Sequence, residues 1–323
     1  MKAIVFDQPG GPEVLRFDDA PDPQPGPDEL LVRVRATAVN RADTLQRRGG
    51  YPPPEGASVI LGLELAGTVE RGAGPWQVGD RVMAVVTGGG YAELATVPIG
   101  MAMRIPDNLS FTQAAALPEA FLTAYLNLFT LGKLQAGERV LIHAGASGIG
   151  TAAIQLARAA GAQVFTTASS EAKLQRCREL GADITINYKE ESFAARVAEA
   201  TGGQGVNLVL DFVGAPYWND NLAALGIDGR LALIGFLGGS HGQLDLGPLM
   251  NKRITVFSTT LRRTPLPQKI ALTEAFSAFA QGRLESGELQ PVIDTVLPLA
   301  QAAEAHRLME SNSTIGKIVL TVE

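Results

Sequence analysis

The segment Val140-Leu141-Ile142-His143-Ala144-Gly145-Ala146-Ser147-Gly148-Ile149-Gly150 constrains this chain more than any other. An apolar run gives way to small residues and then to a helical pattern over 151–160, which predicts a strand, a tight turn and a helix opening. Gly161-Ala162 stops that helix, and Gln163-Val164-Phe165-Thr166-Thr167-Ala168 predicts a second strand, completing a βαβ unit. The glycines at 145, 148 and 150 are spaced G-x-x-G-x-G rather than G-x-G-x-x-G, so spacing alone is a weak signal and its context carries the weight. Small residues at such a turn let the backbone approach a pyrophosphate, whose charge is stabilised by free N–H groups and the positive end of the helix dipole. The segment therefore predicts a dinucleotide site, with a plain packing turn as the alternative.

The end of the second strand speaks to which dinucleotide. An NAD site places a carboxylate about 20 residues past the first glycine, on the adenosine ribose. Here the strand ends in Thr167-Ala168-Ser169-Ser170, without a carboxylate, and Lys173 follows one turn later. A cation among hydroxyls suits a 2′-phosphate, so NADPH is the expected coenzyme. Glu171 suits the first turn of a helix over 171–180, and Ser169 reads as a helix cap, a role compatible with phosphate binding. Ala146, Ser147, Gly148 and Ile149 are expected along the pyrophosphate, with Ser169, Lys173 and Tyr188 around the adenosine phosphate.

At 323 residues the chain exceeds one typical core and predicts two domains. A net charge of -6 with scattered Lys and Arg argues against nucleic acid or an anionic membrane as partner. One cysteine, Cys177, forms no internal disulfide and fits a reducing compartment, with packing or surface filling as its role. The N-terminal segment lacks a signal-peptide core and no run of 18 apolar residues occurs, so a cytoplasmic protein is expected.

Residues 1–121 hold short β-type runs at 3–6, 29–34, 65–69 and 81–86, with prolines at 21, 23, 25, 27 and 52–54 as rigid connectors; a small barrel or sandwich is expected. Over 122–261 helix and strand alternate, with strands near Val140, Val164, Ile184, Leu208, Leu231 and Ile254, the count of a doubly wound parallel six-stranded sheet. Helices follow over 269–281 and 300–309, then a closing strand 316–320 that most simply rejoins the first domain, so 262–323 belongs with 1–121. The strand from Ile254 to Thr260 would lie at the sheet edge, where unpaired backbone invites another chain.

Several blocks carry a resemblance over the full length: Asn40-Arg41-Ala42-Asp43, Gly62-Leu63-Glu64 with Gly67, Ala115 to Ala124, His143-Ala144-Gly145, and Gly316 to Leu320. Together they resemble the zinc-free quinone oxidoreductases of the medium-chain dehydrogenase/reductase superfamily. Ser147 to Leu156 and Asn187-Tyr188-Lys189 resemble the branch induced by a tumour suppressor in animals. The resemblance implies a Rossmann unit inserted in a mainly-β GroES-like catalytic domain, NADPH as coenzyme and a homodimer paired through the edge strand. Ser147 departs from the family's A-x-x-G-x-x-G turn, where a middle glycine is common; its hydroxyl either bonds a phosphate or crowds it. Zinc members need cysteine and histidine ligands, but Asn40 and Leu63 stand at two such places, and His143, His241 and His306 are dispersed.

Without a Lewis acid, an activated acceptor such as a quinone is the sensible substrate, and positioning is most of the catalysis. The resemblance implies Asn40, Asp43 and Tyr51 at the reacting end, with Thr123 near the carboxamide. Tyr51 either hydrogen-bonds the carbonyl oxygen or packs its ring on the coenzyme from a rigid proline loop; Asn40 and Asp43 either serve the site or fix a local turn. Phe236 and Leu237 are implied near the nicotinamide ribose, with core packing as their alternative, and Lys317 as a further contact, with a surface lysine as its alternative. Two other functions stay open: reduction of an enoyl thioester or alkenal, and a non-enzymatic NADPH-binding role like that of the family's lens crystallins.

Overall fold

A computed structural model describes residues 1–322 and divides the chain into two compact units, Met1–Leu122 with the chain from Arg262 onward, and Thr123–Leu261. The first unit opens with the antiparallel pair β1 (Lys2–Val5) and β2 (Arg16–Asp19). Its main sheet contains β3 (Glu29–Ala38), β4 (Glu64–Arg71), β5 (Arg81–Val85), β6 (Leu94–Pro98), β7 (Ala102–Arg104), β14 (Ile293–Pro298) and β15 (Lys317–Thr321). The order is β14-β15-β3-β4-β5-β7, with β6 also on β3. This is one continuous sheet rather than the two packed sheets of a sandwich. β3 makes that possible: it carries β6 along its first half and β15 along its second, and its register with β4 shifts at Leu31/Val32 and at Val34/Ala36.

Helices of this unit are α1 (Arg41–Arg47), α2 (Phe111–Ala115), the start of α3 (Pro118–Tyr125), α9 (Leu266–Glu285) and α10 (Ala302–Ser311). Helix α9 outruns the range read from periodicity at both ends, since Pro265, Leu266 and Pro267 open it, whereas α10 keeps the expected length but lies two residues later and ends at left-handed Asn312. The closing strand starts at Lys317, since Gly316 has φ +88 and any Cβ there would collide with the Val292 carbonyl.

The second unit is a parallel six-stranded sheet: β8 (Arg139–Ile142), β9 (Gln163–Ala168), β10 (Ile184–Asn187), β11 (Val206–Asp211), β12 (Leu225–Leu233) and β13 (Thr255–Ser258). The order β10-β9-β8-β11-β12-β13 reverses direction between β8 and β11, the switch point at which doubly wound sheets bind ligands. Helices α4 (Gly148–Ala159), α5 (Glu171–Glu179), α6 (Phe193–Ala200), α7 (Trp218–Ala224) and α8 (Gly247–Asn251) connect the strands. Leu141, Phe165, Ile186, Phe193, Val197, Val209, Leu222 and Leu231 form one buried core cluster. Each such side chain contributes ~2 kcal/mol of burial, which fixes the sheet under its C-terminal loops. β13 pairs only with β12 and is an edge strand.

Candidate functional site

In the second unit, β8 runs into α4 through a turn too tight for side chains at two glycines. A Cβ at Gly145 would collide with Thr166 Oγ1 and one at Gly150 with the Ala144 carbonyl. Ala144 takes a left-handed φ of 49, a conformation that a non-glycine residue holds only under local constraint. The helix opens at Gly148, three residues earlier than the apolar periodicity indicates, because Ser147 caps it: Ser147 Oγ accepts from Gly150 N–H at 3.0 Å. The hydroxyl is thus already engaged with the helix. The N–H groups of Gly148 and Ile149, at the first two helical positions, have no acceptor within α4 and carry the positive end of its dipole. Ala146 is buried, while Ser147, Gly148 and Ile149 keep partial exposure.

Ser169 follows β9, but the residue at the N-cap of α5 is Ser170, so the cap assignment moves by one and leaves Ser169 outside the helix. Lys173 sits in the first turn of α5, and Tyr188, 42% exposed, directly follows β10. Since β8, β9 and β10 are parallel neighbours, the turn at 146–149, Ser169 and Tyr188 all lie at the C-terminal ends of adjacent strands. Phe236 and Leu237 follow β12 and are 54% and 57% exposed, which rules out core packing for them. Thr123 is buried in α3, where its carbonyl accepts from Asn127 Nδ2 at 2.8 Å. Cys177 is fully buried, its thiol pushed up to about 11 by burial, so it packs and stays protonated.

A buried network that the sequence did not reveal supports these loops. His143 contacts Thr167 Oγ1 at 3.0 Å through Nδ1 and Asn221 Oδ1 at 2.7 Å through Nε2. Asn221 Nδ2 donates to Asp211, whose carboxylate also accepts from the Val213 and Gly214 N–H groups. Burial pushes His143 down to about 4 and Asp211 up to about 6, so the imidazole is neutral at pH 7.

In the first unit, Asn40 precedes α1 and Asp43 lies three residues on, its carboxylate accepting from Asn40 N–H at 2.8 Å and Gly62 N–H at 3.2 Å. Tyr91 Oη donates to the same carboxylate at 3.2 Å, and burial pushes Asp43 up to about 6. At 1% exposure Asp43 is the hub of a local turn. Asn40 instead faces Glu64 and Lys317: its Nδ2 donates to Glu64 Oε1 at 2.8 Å, and its Oδ1 accepts from Lys317 Nζ at 2.6 Å. Lys317 is buried, not a surface lysine; its ammonium pairs with Glu64 at 2.7 Å and also donates to the Val39 carbonyl. Three acceptors occupy its three protons.

Glu64 Oε2 accepts from Glu119 N–H at 2.9 Å. The Glu119 carboxyl has no hydrogen-bond or ion-pair partner among the described residues, and burial followed by repulsion from Glu64 pushes it up to about 8. Glu119 is therefore mostly protonated at pH 7. A lone acid at the head of the apolar run Ala120 to Ala124 was the available sequence signal for it. Tyr51 is half-buried beneath Arg262, whose guanidinium carbon is 5.4 Å from the ring centroid, and burial raises its phenol above the ordinary value. Glu119 also lies close enough to Tyr51 to raise that phenol further.

Two family models match the chain, "Alcohol dehydrogenase GroES-like domain" over residues 26–107 and "Zinc-binding dehydrogenase" over residues 148–277. A quinone oxidoreductase of Pseudomonas aeruginosa is 37% identical, with 99% of each chain covered. The chain belongs to the quinone oxidoreductases of the medium-chain dehydrogenase/reductase superfamily. Among solved structures, Escherichia coli quinone oxidoreductase complexed with NADPH is 31% identical over 100% of both chains, with a TM-score of 0.90. A mycobacterial protein complexed with NADPH is 35% identical, again over 100% of both, with a TM-score of 0.89. In this family member, no group of three or more His, Cys, Asp or Glu side chains among the described residues could hold a metal ion. The donors that Asn40 offers are already hydrogen-bonded, and neighbouring Leu63 is apolar and buried.

Proposed function

We propose that this family member is an NADPH-dependent oxidoreductase that passes reducing equivalents to quinones without a metal ion. The observation that carries the reading is the opening of α4, where two glycines that tolerate no Cβ leave the N–H groups of Gly148 and Ile149 free for a pyrophosphate. That cradle fits NADPH, with Ala146 and Ser147 completing it, Ser169, Lys173 and Tyr188 toward the 2′-phosphate, and Thr123, Phe236 and Leu237 toward the nicotinamide end. When bound, the coenzyme supplies a hydride.

What the chain itself supplies is binding, orientation and a proton. A quinone oxygen gains negative charge on reduction, and hydrogen-bond donors aimed at it lower the barrier. Tyr51 Oη and the protonated Glu119 carboxyl are the groups in the first unit suited to donate there. Asn40 is a positioning residue, held between Glu64 and Lys317 at 2.8 and 2.6 Å. Lys317 thereby acts through Asn40 rather than on the coenzyme, and Asp43 acts by fixing the turn that presents Asn40. The donor chemistry at Asn40 and Leu63 supports a metal-free reaction. The edge strand β13 supports a homodimer. A single buried cysteine supports a cytoplasmic location.

Steady-state turnover of NADPH with 1,4-naphthoquinone, with a crotonyl thioester and with an alkenal tests the reading. Quinone turnover well above the other two is expected. A large preference for the thioester or alkenal would redirect the assignment, and tight NADPH binding with no turnover on any acceptor would favour a non-enzymatic role.

A further inference from the structure

The first unit contains a cavity of about 660 Å³ lined by Thr87, Gly88, Met101, Arg262, Arg263 and Lys269 among others. That volume accommodates a small ring system. Arg262 and Lys269 are 5% and 6% exposed, so each places a charge where water screens it poorly. Arg262 Nε donates to the Thr87 carbonyl at 2.8 Å, but its Nη2 is buried with no hydrogen-bond partner. The Lys269 ammonium has no hydrogen bond or ion pair among the described residues either; in this helix only its backbone is engaged, with the carbonyl accepting from Thr273 Oγ1.

Buried cations are ordinarily paired, because leaving an ammonium or guanidinium without a counter-charge is costly. The nearby acid that acts on both is Glu119, which forms no ion pair with either. Glu29 and Glu55 also line the cavity, yet Glu29 already accepts from Gly26 N–H at 2.9 Å and Glu55 is exposed to solvent. Two buried cationic side chains with unfilled hydrogen-bonding capacity thus belong to the lining of one cavity, and the same Arg262 stacks on the ring of Tyr51.

We propose that this cavity is an anion subsite, in which the Arg262 guanidinium and the Lys269 ammonium bind a carboxylate or phosphate carried by the acceptor. The natural acceptor is then an acidic electrophile, with its anionic group held by these two cations and its reducible carbonyl toward Tyr51. The assignment to the acceptor rests on the proposed quinone reduction; the anion site itself does not. Charge-assisted hydrogen bonds from two cations distinguish such a ligand from its neutral isostere by roughly ten- to a hundred-fold.

Two measurements on the full chain test it. In the first, calorimetric binding of 2-naphthoate is compared with that of 2-naphthol, and inorganic phosphate is added as a competitor to separate a free phosphate site from a carboxylate site. Wild type is expected to prefer 2-naphthoate by roughly ten-fold or more, with Lys269→Met and Arg262→Lys erasing much of that preference and Lys269→Arg retaining it. Phosphate that displaces 2-naphthoate at comparable concentration assigns the site to phosphate-bearing ligands, and failure to displace it assigns the site to carboxylates. In the second, the ratio of kcat/KM for 1,4-naphthoquinone-2-carboxylate over 1,4-naphthoquinone is measured and is expected to fall in Lys269→Met. Equal binding of the two naphthalenes by wild type, or a preference untouched by Lys269→Met, overturns the proposal. Absence of quinone turnover overturns the quinone reading instead, and the binding experiment still decides the subsite.

Discussion

Glu119→Gln should flatten the alkaline side of the stability profile, because this carboxyl holds a proton in the folded protein that the unfolded chain has released. Its ordinary value is 4.5 and burial pushes it up to about 8. Below about 4.5 both states are protonated and the group has no effect; as pH rises to about 8, unfolding releases a proton and stability falls; above that the penalty is complete. At ~1.4 kcal/mol for each pH unit of displacement, the ceiling is ~5 kcal/mol. Partial exposure of the side chain and solvent screening bring the expected effect to ~2 kcal/mol. Glutamine preserves shape and does not titrate. Urea denaturation of both proteins should give similar stability near about pH 5 and a variant more stable by ~2 kcal/mol near about pH 8.5. Asp43, also pushed upward, titrates in both proteins, so most of its contribution cancels in the difference apart from its repulsion of Glu119. Stability profiles that stay parallel across this window would refute the claim that Glu119 is held as a neutral acid.

Gly150→Ala drives a methyl into the Ala144 carbonyl and should cost ~1–3 kcal/mol in thermal or urea unfolding together with at least ten-fold in NADPH affinity by fluorescence titration. Lys317→Met leaves Glu64 buried without its ammonium and should cost ~3–5 kcal/mol, much of it recovered in the double variant with Glu64→Gln, as a double-mutant cycle will read. Lys173→Ala should weaken NADPH much more than NADH; equal losses for the two would remove Lys173 from the phosphate site.

The doubly wound unit was legible because its signals are local. Each strand is a short apolar run ending at glycine, proline or a small polar residue, and all six strands occur where those runs stand. The two sheets of the first unit were less legible. β2 is exposed throughout, β7 spans three residues, and β14 alternates between exposed and half-buried positions, so none presents a clear apolar run.

Site residues divide along the same line. The glycine turn announces itself, whereas Glu64, Glu119, Lys317, Arg262 and Lys269 acquire their meaning only when distant segments meet. A cue existed in two cases: Lys317 opens the apolar strand Ile318-Val319-Leu320, and Glu119 interrupts an apolar stretch. A charge inside a run destined for the core needs a partner or a perturbed proton, and the structure supplies the first for Lys317 and the second for Glu119.

The central claim is that this fold moves reducing equivalents from NADPH to a quinone with no metal ion assisting. After exhaustive dialysis against a chelator, with metal content verified by elemental analysis, the protein is mixed with NADPH and 1,4-naphthoquinone and coenzyme oxidation is followed. Undiminished turnover, with NADPH strongly preferred to NADH, is the predicted result; loss of turnover that added Zn²⁺ restores would contradict it.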